Sequence, residues 1–244
     1  MLKTLYSIAE KQFTYKELFI EKVLRKVTIK YNFKIMSGYG MMIPGSKARS
    51  NLVSERPTEH GGKEVEHNMI KEAAEFADRA HQGVFRKGTE IPYITHPMET
   101  AAIVTAFTDE PEMIAAALLH DVIEDAGVTR EELEEKFGPR VAFLVDGESE
   151  DKSKSWVERK GATVERLKTA TRDEKILALA DKLSNIRSTA RDYLVLGDEV
   201  WQRFNQKDKE MQGWYYKGVA EALKEFKGHI YYEEYVMLCE RVFG

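Results

Sequence analysis

Apolar residues recur with helical spacing along most of the chain from residue 64 onward. The clearest case is AAALLHDVIED at residues 115–125, which predicts one helix with an apolar side and a polar side. At about 100° per residue, its four ionisable side chains share an arc of roughly 140°: His120, Asp121, Glu124 and Asp125. Asp109 is a suitable N-cap, and Pro111 suits the first turn. Because unpartnered buried carboxylates are costly, this helix predicts a metal, cations or water beside it.

The same periodicity predicts further helices, while few runs show the strict alternation of a half-buried strand. One predicted helix begins near Glu64, and another follows Thr129 to about residue 138. The others cover residues 98–107, 141–147, 156–170, 173–191 and 230–243. Prolines forbid a long helix in GVFRKGTEIPYITHP, so residues 83–97 are predicted to form a structured loop. The sequence therefore predicts an all-α fold.

Residues 1–62 follow a different pattern. Residues 1–35 predict one or two amphipathic helices, with eight Lys and Arg residues against three Glu residues. Residues 36–63 lack periodicity and are rich in Gly, Pro and Ser, as in a linker. We therefore expect a basic helical extension with a flexible linker over 1–62 and one domain over 63–244. Met36 is an alternative site for translation to begin.

The amino-acid composition and charge of the chain argue against several classes of function. The net charge of −4 leaves a clearly acidic body once the basic extension is set aside, which argues against a general nucleic-acid binder. No apolar run approaches the roughly 18 residues of a membrane span, and the first residues do not resemble a secretion signal. The single cysteine, Cys239, agrees with a reducing compartment. We expect a cytoplasmic protein, and the sequence does not indicate its oligomeric state.

A second apolar helix also carries polar side chains. In ILALADKLSNIR, Asp181 and Asn185 lie four residues apart, on one face. A histidine bonded to a carboxylate is common as a purely structural pair, but this chain combines two imidazoles with two carboxylates, namely His96, His120, Asp121 and Asp181. Such a mixed set suits Mn²⁺, Fe²⁺ or Zn²⁺ better than Ca²⁺. The chemistry that follows is metal-assisted hydrolysis.

Four motifs in order carry a family resemblance: FRKGTEIPYITHP, AALLHDVIEDAGVT, FGPRVAFLVDG and LALADKLSNIR. They resemble the HD-domain phosphohydrolases and, more narrowly, the hydrolase domain of the Rel/SpoT stringent-response proteins and the stand-alone small alarmone hydrolases. The resemblance covers residues 64 to about 226. It implies an all-α HD-domain bundle that binds Mn²⁺ and removes the 3′-pyrophosphate from ppGpp or pppGpp, giving GDP or GTP.

The resemblance also implies a role for each matching residue. The metal ligands would be His96, His120, Asp121 and Asp181. Glu124 and Asp125 match the acidic pair that positions or deprotonates water. Arg86 and Lys87 match the basic pair at the nucleotide, and Asn185 matches the asparagine on its ribose and phosphate side.

The motifs leave alternatives for the nucleobase of the substrate and for the type of activity. RKGTEIPY has one residue more between its basic pair and Pro-Tyr than the bifunctional proteins usually have, so the base is not fixed. An HD-domain phosphohydrolase of another nucleotide, such as ppApp, NADPH or a dNMP, is the nearest alternative. A catalytically silent nucleotide-binding regulator is a further one, which the intact Glu124 and Asp125 disfavour. Tyr93 could pack or bind, and His81 is interpreted as structural.

Overall fold

The computed structural model describes residues 60–244, with side chains from Asn68 onward, and the predicted basic extension and most of its linker lie outside this range. The described residues are helical, apart from turns and one isolated bridge between Phe85 and Pro92. The helices are α1 (His60–Ala80), α2 (Thr95–Val104), α3 (Pro111–Leu119), α4 (Val122–Ala126), α5 (Arg130–Phe137), α6 (Pro139–Glu148), α7 (Trp156–Thr169), α8 (Arg172–Leu196), α9 (Lys209–Ala222) and α10 (Ile230–Phe243). Short 3₁₀ segments occupy Gly197–Arg203 and Lys224–Phe226. The predicted all-α fold is confirmed.

The core is built around α3 and α8. Every residue of α3 from Met113 to Leu119 is buried, and so is the stretch of α8 from Lys175 to Asp181. Helix α3 packs against α2, α6 and α8, while α10 covers another side of α8. Each large apolar side chain fully buried here contributes about 1.5–3 kcal/mol. Polar groups on these two helices are therefore held in a rigid, largely dry setting.

The predicted single helix over 115–125 is wrong, because the chain breaks between α3 and α4. Helix α3 ends at Leu119, His120 is its C-cap, and Asp121 takes the position before α4 with φ −99° and ψ −3°. The His120 imidazole donates from Nδ1 to the Ala117 carbonyl at 2.9 Å, at a helix end where carbonyls lack helical partners. The side chain thus replaces part of the backbone bonding that a continuous helix would need.

Other boundaries also differ from the predictions. The N-cap position of α3 is held by Glu110, without a side-chain cap, and not by Asp109, although Pro111 does begin the helix. Helix α2 begins at Thr95, three residues earlier than predicted, so His96 lies in its first turn and not in the loop. Pro97 fits there because first-turn N–H groups have no helical acceptor.

Several local predictions are confirmed. Thr129 caps α5 by accepting from the Glu132 backbone N–H at 3.2 Å, and α10 has the bounds that the periodicity predicts. Among the helices of the described region, none is long and apolar enough to cross a bilayer. The loop before α2 is structured, as predicted: Arg86 N–H donates to the Ile91 carbonyl at 2.8 Å, and Tyr93 N–H donates to the Val84 carbonyl at 2.9 Å.

Candidate metal centre and cleft

The four predicted metal ligands come together from three parts of the fold. The Nε2 atoms of His96 on α2 and His120 at the end of α3 lie 3.1 Å apart. Asp181 Oδ1 on α8 lies 3.1 Å from His96 Nε2, and Asp121 Oδ2 lies 3.0 Å from His120 Nε2. Both histidines and Asp181 are buried, whereas the Asp121 side chain keeps 18% of its surface exposed. Three of them, His96, His120 and Asp181, offer ligand atoms close enough to share one ion.

The chemistry of this donor set fits a divalent cation. Each ring engages a neighbour through Nδ1, at Ser184 Oγ for His96 (2.8 Å) and at the Ala117 carbonyl for His120 (2.9 Å). Both Nε2 atoms are therefore free to face the centre. Two imidazole nitrogens beside two carboxylate oxygens form a set that prefers a transition metal, and a carbonyl behind the ring is a usual support for a ligating histidine.

Neighbouring charges shift the pKa values of the buried groups at this centre. Burial alone would lower the pKa of His120, but the adjacent Asp121 carboxylate holds it well above its ordinary value. Burial likewise opposes ionisation of the two carboxyls, yet the histidines keep the pKa of Asp121 well below its usual range, and Lys182 does the same for Asp181. The carboxylates are thus ionised and ready to bind a cation.

The acidic pair lies beside this centre on α4. Glu124 and Asp125 line one cleft of about 310 Å³ together with Asp121 and Asp181. Burial, followed by the charge of Asp125, raises the pKa of Glu124. Lys152 opposes that effect from 3.8 Å. A carboxylate with a raised pKa is a better proton acceptor near neutral pH.

The basic pair lies at one end of the same cleft, on the hairpin-like loop. Arg86 Nη2 donates to Asn185 Oδ1 at 2.9 Å, and Asn185 Nδ2 donates to Asp181 Oδ1 at 2.6 Å. The guanidinium also lies over the Tyr93 ring, 5.6 Å from its centre. Lys87 is exposed and lines the cleft. All nine residues singled out from the sequence therefore line the cleft or the metal centre.

Comparison with known proteins identifies the family. A model of the HD domain matches residues 73–207, which is more than half of the chain. The chain belongs to the HD-domain family. This confirms the resemblance, and the match spans the elements from α1 to the 3₁₀ segment that carry all nine residues.

Similar proteins are named for the same hydrolase activity. The chain is 35% identical over 163 residues to the guanosine-3′,5′-bis(diphosphate) 3′-pyrophosphohydrolase MESH1 of Homo sapiens, covering 66% of this chain and 86% of that protein. A Haemophilus influenzae enzyme of the same name is 43% identical over 119 residues, which is 46% of this chain but 17% of that longer protein. A solved metazoan SpoT ortholog, described as hydrolysing ppGpp, has a TM-score of 0.60 at 25% identity, covering 77% of this chain and 98% of that one.

Sequence reasoning missed several residues at the centre of the HD domain. The Tyr93 hydroxyl donates to Asp121 Oδ2 at 2.7 Å, so this side chain binds a candidate ligand as well as packing. Ser184 contacts His96, and Lys182 contacts Asp181. His81, interpreted as structural, is buried and packs against the Tyr93 ring at 4.8 Å. The position of Lys182 next to Asp181 was the one local signal for these contacts.

Lysine and arginine side chains of α7 also line the cleft. Lys160 and Arg159 on α7 both pair with Glu150, at 2.8 and 2.7 Å. The Lys160 ammonium lies 5.0 Å from the centre of the Tyr215 ring, and the buried Tyr215 hydroxyl has no hydrogen-bond partner among residues 60–244. Positive side chains of α7 thus line the same cleft as Arg86 and Lys87, and such groups suit a ligand with more than one phosphate.

Proposed function

We propose that this HD domain removes the 3′-pyrophosphate from the guanosine alarmones ppGpp and pppGpp, giving GDP or GTP and pyrophosphate. The observation that carries the proposal is the convergence of two imidazole Nε2 atoms and two carboxylates at the wall of a cleft that also holds Glu124 and Asp125. Guanosine alarmones are the substrates because relatives bearing that activity in their names match most of their length to this chain.

The metal ligands in this proposal are His96, His120, Asp121 and Asp181, and the resident ion is Mn²⁺. A divalent cation at such a site lowers the pKa of bound water and polarises the phosphoryl oxygen that it faces. The absence of a cysteine among the four donors argues against a structural zinc site. Donors that are half imidazole and half carboxylate suit Mn²⁺.

The chain's own side chains supply the remaining steps. Glu124, with Asp125 beside it, takes a proton from the attacking water, and its raised pKa suits that task. The water oxygen forms a bond to the phosphorus on the ribose 3′-oxygen, the P–O3′ bond breaks, and the ribose oxygen takes up a proton. Arg86 can fork two phosphate oxygens or lie along the base, and Lys87 adds a point charge. Asn185 orients Arg86 through their 2.9 Å hydrogen bond.

The test is a substrate panel. The protein is incubated with Mn²⁺ and, separately, ppGpp, pppGpp, ppApp, NADPH and dNMPs, and the products are separated by ion-exchange chromatography. We expect pyrophosphate and GDP from ppGpp, with the activity lost in Asp121→Ala. Asp173→Ala is the matched control, because Asp173 pairs with Arg140 at the start of α8 and does not line the cleft.

Two outcomes would overturn the proposal. Turnover of another nucleotide with no turnover of ppGpp would identify a different HD-domain phosphohydrolase. Tight binding of ppGpp without turnover in any divalent metal would identify a nucleotide-binding regulator.

A further inference from the structure

A chain of hydrogen bonds leads away from His96 on the side opposite the metal centre. His96 Nδ1 lies 2.8 Å from Ser184 Oγ, and that hydroxyl donates to Glu99 Oε2 at 2.8 Å. The other oxygen of Glu99 accepts from Arg187 Nη1 at 2.9 Å. Two further bonds fasten the same guanidinium to Glu234 on α10, at 2.7 and 2.5 Å. The chain therefore joins α2, α8 and α10 behind one candidate metal ligand.

The direction of each hydrogen bond follows from the available protons. Glu99 is a carboxylate paired with a guanidinium, so it accepts from Ser184 and does not donate. The single hydroxyl proton of Ser184 is committed to Glu99, and its oxygen can only accept from His96. His96 Nδ1 therefore donates to Ser184 Oγ. The opposite ring nitrogen, Nε2, faces His120, Asp121 and Asp181.

We propose that Ser184 and Glu99 are positioning residues that hold His96 in its metal-binding tautomer and orientation, and that Arg187 holds Glu99 in place. This inference rests on the proposed metal-dependent function. Ser184 is 1% exposed, so no bulk water takes over its hydrogen bond when the hydroxyl is removed. Hydrogen bonding of the second nitrogen also raises the basicity of a ligating imidazole.

The spacing along the helices explains how one helix contact places both the candidate ligands and the residues that support His96. His96 and Glu99 lie three apart on α2, and Ser184 and Arg187 lie three apart on α8, so each pair shares a helix face. Asp181 lies three residues before Ser184 on the same face. The contact of α2 with α8 therefore brings together the ligands and the side chains that support one of them.

The test measures metal binding directly. Equilibrium dialysis gives the Kd for Mn²⁺ of the full chain and of Ser184→Ala and Glu99→Gln. We expect Kd about 10- to 100-fold weaker in Ser184→Ala, the range seen when a supporting partner of a metal ligand is removed, and a smaller loss in Glu99→Gln. Thr171→Ala is the matched control, because it removes a hydroxyl from the N-cap of the same helix, about 20 Å away along its axis.

A second readout follows the tautomer itself. Long-range ¹H–¹⁵N spectra of the metal-free protein report which ring nitrogen of His96 carries the proton. We expect a proton on Nδ1 in the wild type and in Thr171→Ala, and a partial loss of that proton in Ser184→Ala. Glu99 is over a third exposed, so Glu99→Gln keeps the test available should Ser184→Ala fail to fold.

The outcomes separate this inference from the function on which it rests. A wild type that binds Mn²⁺ and hydrolyses ppGpp, with Kd unchanged within about twofold in both variants, would overturn the positioning role and leave the function standing. A His96 Nδ1 that carries no proton in the metal-free wild type would do the same. A wild type that binds no divalent metal would overturn the proposed function.

Discussion

Tyr93 joins the nucleotide end of the cleft to the metal centre, and Tyr93→Phe tests that link. Its hydroxyl donates to Asp121 Oδ2 at 2.7 Å, and this is the oxygen that faces His120. Burial, followed by the charge of Asp121, raises the pKa of the hydroxyl, so it stays protonated and remains a donor. The ring lies under Arg86 and beside His96. Phenylalanine keeps these ring contacts and removes the hydroxyl alone.

The magnitude follows from the hydrogen bond and from the exposure of its acceptor. A hydrogen bond to a charged group contributes about 1.5–3 kcal/mol. The Asp121 side chain keeps 18% of its surface exposed, so water replaces part of the lost bond and the lower end of that range applies. About 1.5 kcal/mol corresponds to roughly a tenfold change in an equilibrium constant. We therefore expect the Kd for Mn²⁺ to rise about tenfold.

The assay separates metal binding from nucleotide binding. Kd for Mn²⁺ is measured by equilibrium dialysis, and KM for ppGpp is measured at saturating Mn²⁺. We expect the change in Kd with KM nearly unchanged, because the ring still supports Arg86. Tyr232→Phe is the control, since its hydroxyl donates to the Ala220 carbonyl between α9 and α10. An unchanged Kd together with a raised KM would refute the reasoning and make Tyr93 a nucleotide-packing residue.

Two further predictions concern the acidic pair and the loop. Lys152→Ala removes the charge that lowers the pKa of Glu124, so the acid limb of the kcat/KM profile should move to higher pH. The shift should be less than about one pH unit, because an exposed ion pair contributes at most about 1 kcal/mol. A limb that moves to lower pH would contradict Glu124 as the general base. Gly88→Ala places a Cβ 2.5 Å from Arg203 Cδ, at a residue with a φ of +69°. The clash and the strained backbone should loosen the loop and raise KM for ppGpp more than they lower kcat. Steady-state kinetics with an unchanged KM would contradict this prediction.

Three of the four candidate ligands, His120, Asp121 and Asp181, could be predicted because each interrupts an apolar pattern. His120 and Asp121 follow a helix that is buried from Met113 onward, and Asp181 lies within the buried stretch of α8. Asp181 and Asn185 lie four residues apart on one helix, a spacing that predicts a contact between their side chains. The structure shows that contact as a 2.6 Å hydrogen bond. Patterns of this kind depend on neighbours in the sequence, which is why they can be found there.

The backbone at the centre could not be predicted in the same way. Periodicity indicates which side of a helix is apolar, and the apolar residues on both sides of His120 keep one period through the break. At the break, the His120 ring bonds to the Ala117 carbonyl, a side-chain contact that periodicity does not represent. The start of α2 was missed for a related reason, because Pro97 was interpreted as ending a loop when it occupies a first turn.

The supporting contacts are of a different kind, since they depend on how helices pack. Tyr93 and Asp121 are 28 residues apart, and Ser184 and Glu99 are 85 apart. Nothing local in the sequence pairs them. Only the packing of α2 on α8 makes Glu99 a partner of Ser184, so in the sequence it is one of many acidic residues of a charged chain.

Asp181 connects the metal centre to the nucleotide end of the cleft. Its Oδ1 faces His96 Nε2 at 3.1 Å and also accepts from Asn185, whose own oxygen accepts from Arg86. A nucleotide that draws Arg86 away from Asn185 therefore frees Asn185 to turn and changes the hydrogen bonding of a candidate ligand. Since coupling between two binding sites is reciprocal, a cation that fixes Asp181 must favour the same arrangement of Asn185 and Arg86 for the nucleotide. Under the proposed function, the candidate metal ligands and the nucleotide-binding residues would be coupled because Asp181 Oδ1 contacts both His96 and Asn185.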